Sequence, residues 1–387
     1  MKILFCNYEY PPIGGGGGVI NAALAEELAK RHEVTVLTSQ GLDLPAQDLI
    51  NDVSIIRVPV FFRRRSAAAN FPSLLAFLPS GVRSGKRLLN KRSFDIINTH
   101  FALPSGPVGN ALARYAAIPN VLSVHGGDLY DPSKWSSPHK HSILRGWIRH
   151  LINRADFVVG QSKNTLENMR KYYGDKADSA LIPLGIVRPP VVSGSREEFG
   201  LPIDSTLLIK VGRLVARKAV DQLVTAMQTI KPGKTTLVIL GSGPQEAALQ
   251  EQVSSLGLGD HVRFVGQVSD TQKVKLLRLA DIYVSTSQHE GFGLVFLEAM
   301  AEGLPIVCYD FGGQTDFLED GCTGRLIALN DLDGFVRGVQ QLMESKEERL
   351  LMGRENRDRV EGFFIDTCAA RYEHVFEQVI SAAKLTL

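Results

Sequence analysis

The chain has 387 residues, of which 44% are hydrophobic and 22% charged, and carries a net charge of +2. That is the composition of an ordinary globular protein, long enough for two domains of about 150 residues or more. It contains no run of about 18 uncharged apolar residues, which excludes a membrane-spanning helix.

The four cysteines, Cys6, Cys308, Cys322 and Cys368, are scattered with no C-x-x-C among them. They read as buried thiols rather than disulfides or a metal site, so no metal and no cofactor are expected. Met1 leads directly into an apolar strand, so no secretory signal is expected and a cytoplasmic location is. Charge is divided unevenly: residues 1–187 hold 22 Lys/Arg against 14 Asp/Glu, and the other 200 hold 21 against 27. Two domains with different partners follow from that asymmetry.

Taken in order, Lys2 to Cys6 reads as a strand and leads to five consecutive glycines, Gly14 to Gly18. A helix with Val19, Ala23, Leu24 and Leu28 at helical spacing comes next, then a strand from Glu33 to Thr38. This is a βαβ opening with a phosphate-type loop. A dinucleotide fingerprint started at Gly14 fails, because its third glycine would fall on Val19. The loop is then either a close-approach surface for a ligand or a surface linker.

After a strand at Val53 to Val58, residues 57–92 carry nine Lys/Arg and no acid. Phe61-Phe62, Phe71, Leu74-Leu75 and Phe77-Leu78 interleave there with Arg63-Arg64-Arg65, Arg83, Lys86-Arg87 and Lys91-Arg92. Such a segment suits an anionic membrane surface or, equally, a core-facing helix with solvated charges. No nucleic-acid-reading motif accompanies the charge, so nucleic acid is not an expected partner.

Phe94 to Thr99 reads as a strand ending in His100, and Val121 to Val124 as one delivering His125-Gly126-Gly127-Asp128. A parallel sheet binds ligands outside its carboxyl ends. His125 there is suited to donate a hydrogen bond to a phosphate or sugar oxygen, and Asp128 to hold an acceptor. His139 to Arg154 reads as a second basic amphipathic helix, carrying Trp147. The first domain is expected to span 1–187, followed by a linker rich in proline, serine and glycine.

The alternation restarts with a strand at Thr206 to Val211, then Gly212-Arg213-Leu214 and Lys218 ahead of a helix. Arg213 and Lys218 flank this turn as a pair able to neutralise a diphosphate. Between strands at 280–285 and 304–308 lies Ser287 to Gly303, with Glu290, the turn Gly291-Phe292-Gly293, and a helix carrying Glu298. Unpartnered N–H groups and the helix dipole make that start attractive to anions, while two carboxylates suit sugar hydroxyls. Read alone, the two glutamates are equally well solvated surface residues. Asp331-Leu332-Asp333 reads as a helix cap rather than a metal-binding pair.

Taken together, the glycine loop, His125-Gly-Gly-Asp, Gly212-Arg-Leu with Lys218, Gly241-Ser-Gly-Pro and Glu290-Gly-Phe-Gly with Glu298 resemble the retaining glycosyltransferase family 4. The resemblance covers nearly the whole chain. It implies an α/β GT-B fold: two facing Rossmann-like domains (1–187 and 195–365) with a deep interdomain cleft, and a C-terminal helix, 366–387, crossing back to the first. It further implies hexose transfer from a UDP- or GDP-sugar to a glycan or lipid-linked acceptor in polysaccharide or glycolipid synthesis, without a metal, in the cytoplasm or peripherally on the inner membrane face.

By the same resemblance, Glu298 is expected to bind ribose hydroxyls and Glu290 the donor sugar, beside the backbone N–H groups of Phe292, Gly293 and Leu294. Arg213 and Lys218 would hold the diphosphate, His125 would lie at the reacting carbon, and Gly15 and Gly16 would close on the substrates. Asp128 is the expected acceptor-binding residue. Ala219 and Asp316 depart from the family pattern, where glycine and glutamate are usual. A nucleotide-sugar epimerase of the same fold, or a non-catalytic scaffold, are the alternative readings.

Overall fold

The computed structural model describes residues 1–41, 43–60, 71–132, 134–230, 233 and 235–386, with only the backbone of Phe71 and Thr386. The chain divides into two compact units, Met1–Val187 with Phe364–Leu387, and Arg188–Phe363.

The first unit contains β1 (Lys2–Asn7), α1 (Gly16–Ala29), β2 (Glu33–Ser39), β3 (Gln47–Ile50), β4 (Val53–Val58), α2 (Phe71–Leu89) and β5 (Ile96–His100). It continues through α3 (Ser105–Ala116), β6 (Asn120–Val124), α4 (Ser142–Arg154), β7 (Phe157–Gly160), α5 (Lys163–Tyr173) and β8 (Ser179–Leu181). Its strands are ordered β3-β4-β2-β1-β5-β6-β7-β8. Every neighbouring pair is parallel except β3 with β4. Buried on both faces, the parallel strands are near-continuous apolar runs, as in Ile3-Leu4-Phe5-Cys6. The order reverses between β1 and β5, so a crevice opens there at the strands' carboxyl ends.

The second unit contains β9 (Thr206–Val211), α6 (Val220–Met227), β10 (Thr235–Leu240), α7 (Glu246–Ser255), β11 (Val262–Gly266), α8 (Asp270–Leu279) and β12 (Ile282–Ser285). It ends with α9 (Leu294–Ala301), β13 (Ile306–Tyr309), β14 (Gly324–Ile327), α10 (Leu332–Glu344) and α11 (Lys346–Val360). Its all-parallel sheet runs β11-β10-β9-β12-β13-β14, with the switch point between β9 and β12. Asp331 caps α10 by accepting the Gly334 N–H at 2.8 Å, which accounts for it without a metal role.

The last helix, α12 (Ile365–Thr386), belongs to the first unit. Cys368, Tyr372, Val375 and Phe376 share one core with Ile3, Phe5, Leu24 and Leu28. The Tyr372 hydroxyl donates to Ser123 Oγ at 2.9 Å, tying the far end of the chain to β6.

The basic segment resolves differently along its length. Phe61, Phe62 and Arg63 to Arg65 lie outside the described residues. In α2 the apolar side faces inward: Phe77 and Leu88 pack with Val108 and Leu112 of α3. That part of 57–92 packs its larger apolar residues on the core and leaves its charges solvated, with Leu75 exposed. Val19, expected on the buried stripe of α1, is exposed; Ile20 and Asn21 take the inner face. Among the described residues no helix is long and apolar enough to cross a membrane.

Because α12 completes the first core, Phe376→Ala should destabilise the first unit by about 3–5 kcal/mol, the usual cost of emptying a buried phenylalanine site. Hydrogen exchange of the full chain should accelerate in β1 and α1 while β9 and β12 stay protected. Glu377→Ala, on the exposed side of α12, should change neither.

Candidate active site

At the switch point of the second sheet, β9 and β12 deliver their carboxyl ends side by side. β12 runs on to Glu290, and the turn after β9 carries Arg213, Arg217 and Lys218. Glu290 is buried, with its carboxylate in contact with the Lys218 ammonium and 3.6 Å from the Arg217 guanidinium. Burial alone would raise the Glu290 carboxyl. Lys218, Arg217 and Lys210 together pull it the other way, to about 2. Glu290 is therefore ionised.

The two turns are also laced through their backbones. Arg217 Nη1 donates to the His289 carbonyl at 3.0 Å, the Gln288 N–H to the Arg217 carbonyl at 2.9 Å, and Thr286 Oγ1 to the Ala219 carbonyl at 2.8 Å. Ala219 takes a left-handed φ of 43° as the residue before α6. That is a conformation glycine adopts without strain, which is the physical reason glycine is usual there.

Glu290 is pinned from below as well, since its carbonyl accepts the Gly313 N–H at 2.8 Å. A Cβ on Gly313 would come within 2.1 Å of the Gly291 carbonyl, so only glycine permits this approach. Gly293 at φ 97° then starts α9. The N–H groups of Phe292, Gly293 and Leu294 make no turn or cap bond among the described residues. The Phe292 ring packs on Phe317, at 5.2 Å between centroids, so only its backbone is available to a ligand. Glu298 Oε1 accepts from Lys273 at 3.0 Å, while its buried Oε2 has no partner among the described residues. Burial raises this carboxyl and Lys273 opposes the rise.

Arg213, by contrast, is exposed and forms no ion pair among the described residues. The expected pair of cations is thus a graded set: Lys218 committed to Glu290, Arg217 shared, Arg213 projecting. Arg217 was not anticipated, because only the short turn at Ala216–Lys218 swings it back onto His289 and Glu290.

Lys210 was missed for a different reason. It lies inside the strand T-L-L-I-K-V, 1% exposed, with its ammonium donating to Ser285 Oγ at 2.8 Å and within 3.5 Å of Ser287 Oγ. Burial lowers it to about 7, with repulsion from Lys218 adding to the fall and Glu290 opposing it.

In the first unit, His125 follows β6 and stacks on Phe101 at 4.0 Å between centroids. Phe101 itself has a φ of 72°, unusual for an aromatic residue. The Gln161 amide nitrogen lies within hydrogen-bond distance of both His125 ring nitrogens, and His125 Nε2 is 3.1 Å from His100 Nδ1. Burial and then His100 hold His125 well below its usual pKa, so the ring is neutral. Both its nitrogens are engaged within the unit, which the expected hydrogen bond to substrate did not foresee.

Asp128 is likewise committed, accepting the Ala102 N–H at 2.7 Å and the His125 N–H at 2.8 Å. Its carboxylate also positions the His125 backbone. In the glycine loop, Gly16 opens α1 and the Gly15 N–H donates to Glu9 Oε2 at 3.1 Å. A carboxylate of the chain itself thus occupies an anion-favouring helix start.

The fold is matched by solved structures along its whole length. Sucrose-phosphate synthase from Thermosynechococcus elongatus superposes with a TM-score of 0.85 at 23% identity, covering 99% of this chain and 100% of that one. HepE of Anabaena, solved in complex with UDP-glucose, superposes at 0.77 with 20% identity, covering 99% and 100%. Two Rossmann-like units of this kind define a GT-B fold. The family models for glycosyltransferase family 4 and for glycosyl transferases group 1 match residues 14–187 and 193–359. The chain belongs to this family of glycosyltransferases. It is 26% identical to a GDP-mannose-dependent α-(1-6)-phosphatidylinositol monomannoside mannosyltransferase of Mycolicibacterium smegmatis, over 91% of each protein.

The geometry makes Lys210 a pH-sensitive element of stability. Its ammonium is held to 10.5 in the ordinary state and to about 7 when folded. Between those values the unfolded chain binds more protons, so stability from this position rises with pH across that window and is at its lowest below pH 7. Lys210→Met should therefore be more stable than the parent at pH 6, with the gain shrinking toward pH 10 in denaturant titrations. A gain that does not change with pH would show that Lys210 keeps an ordinary pKa.

Proposed function

We propose that this glycosyltransferase moves a hexose-type sugar from a UDP- or GDP-sugar to a hydroxyl of a glycan or lipid-linked acceptor, with retention at the anomeric carbon. The observation that carries the reading is the second unit's switch point. Arg213, Arg217, Lys218 and bare helix N–H groups gather there beside two carboxylates, Glu290 and the half-open Glu298. That is the chemistry of a diphosphate joined to two polyols. The complex of the similar HepE with UDP-glucose, and the GDP-mannose dependence of the similar mannosyltransferase, support a nucleotide-sugar donor.

Breaking the anomeric C–O bond builds positive charge on the sugar and negative charge on the leaving diphosphate. Arg213 and Lys218, with the α9 N–H groups, stabilise the leaving group in our reading, and no metal is required for that charge. Glu298 takes the ribose hydroxyls through its unpartnered Oε2, and Glu290 the donor sugar. Neutral His125 turns a ring N–H from its partners within the unit to a substrate oxygen. Same-face displacement, with the departing phosphate accepting the acceptor's proton, accounts for retention without a covalent nucleophile. The first unit takes the acceptor, and a lipid-borne acceptor would place the protein peripherally on the cytoplasmic face of a membrane.

Melting-temperature screening against UDP-, GDP- and ADP-sugars, followed by transfer of a labelled sugar, tests this directly. Arg213→Ala and Lys218→Ala should each lower kcat on the order of 10²-fold, as for loss of one transition-state donor. Because Arg213 is exposed, its loss cannot be mistaken for misfolding, and near-normal turnover in both variants would sink the assignment. Interconversion of labelled donor sugar without an acceptor would identify an epimerase instead.

A further inference from the structure

The only two tryptophans in the chain, Trp135 and Trp147, are both exposed on the turn before α4 and on α4 itself. Trp135 is 81% exposed and Trp147 36%, and Ile143, one turn before Trp147, is 84% exposed. Ile143, Trp147, His150 and Arg154 recur at intervals of four, three and four, so they line one face of the helix. Ile148 and Ile152 fill the buried face, with Leu151 buried at its border beside Trp147. The outer face is therefore apolar at one end and cationic at the other, and the core has no claim on it.

The charge in the sequence around it is largely of one sign. Residues 71–155 contain 11 Lys/Arg and three acids, Asp95, Asp128 and Asp131, with Asp156 following directly. Each acid is engaged: Asp95 by the Lys2 N–H, Asp128 by two backbone N–H groups, and Asp131 by Lys134 at 2.9 Å. Beside the stripe, Arg114 of α3 joins Trp147, His150 and Arg154 around a cavity of about 540 Å³. Asp156 is also on its wall, where it accepts the Asn120 N–H.

We propose that the turn bearing Trp135 and the outer face of α4 dock this protein on a bilayer surface rich in anionic headgroups. Tryptophan and isoleucine enter the boundary between headgroups and acyl chains, while Lys140, Arg154 and the neighbouring Arg114 meet the lipid charge. A nucleic acid would match the charge but would not require Ile143 in water. Residues 57–92, read on composition as either a membrane-facing or a core-facing segment, lie partly outside the described residues, and α4 offers a surface of its own. The assignment rests on the lipid-borne acceptor proposed above.

Since no other residue of the chain is a tryptophan, intrinsic fluorescence reports this surface alone. Vesicles of phosphatidylglycerol and phosphatidylcholine should pellet the full-length protein at low salt, shift its tryptophan emission to the blue and shield it from iodide. Pure phosphatidylcholine vesicles should do neither. Trp135→Ser with Ile143→Ser should weaken vesicle binding about 10-fold or more, as expected when two inserted side chains are lost. Melting temperature and donor-induced melting shift should be unaffected. If anionic vesicles pellet the protein with emission unchanged, another surface docks and this assignment is overturned, while the lipid-borne acceptor stands. Failure to pellet at all removes both. An emission shift with a single-stranded oligonucleotide but not with vesicles would make the patch a nucleic-acid surface.

Discussion

Glu290 keeps its charge out of water because Lys218, Arg217 and Lys210 hold it there. One buried carboxylate among three cations is an unbalanced arrangement, and burying charge without balance is costly. The imbalance has the sign that an incoming diphosphate would correct. It also explains the local construction: the carbonyls of Arg217, Ala219, His289 and Glu290 all accept bonds across the switch point. A rigid, positively biased cradle stabilises developing negative charge without having to reorganise as the charge appears.

The first unit is built on the opposite electrostatic plan. His100 is held to about 3 by burial, and His125 is held neutral by burial and by His100 itself. Gln161 and His100 hold the ring and Asp128 fixes the backbone, so this end of the sheet carries two neutral rings and one carboxyl that burial raises to about 6. Two α/β sheets of similar architecture therefore offer unlike chemistry at their carboxyl ends, one cationic and one a chain of neutral rings. That contrast extends to the surface, where one sign of charge covers the helices from α2 to α4.

Much of this was legible in the primary structure, and the exceptions share a cause. Glu290, Arg213 and Lys218 sit in turns between apolar runs, where strand and helix periods change and a polar residue stands out, and Glu298 is the one charge in an otherwise apolar α9. Lys210 does not stand out. A single lysine near the end of an apolar strand reads as an edge charge, and only the pairing of β9 between β10 and β12 encloses it. Asp128 was read from its position as acceptor-binding; that it also holds the Ala102 and His125 N–H groups depends on how β5 and β6 end. The occupancy of the His125 ring is set by residues 25 and 36 positions away, beyond the reach of any local pattern. β3 escaped notice because Gln47-Asp48 lacks the apolar alternation of a half-buried strand.

The place of α12 bears on how the protein comes to be made. Ribosomes release a chain from its first residue onward, and here the first 187 residues leave the tunnel without the helix that closes their core. Arg188–Phe363 is contiguous and has all its strands in hand once it emerges. The earlier-synthesised half is therefore the later one to mature, waiting with Ile3, Phe5 and Leu28 partly uncovered until α12 has emerged. A stop codon ahead of α12 would cripple the half of the molecule made first.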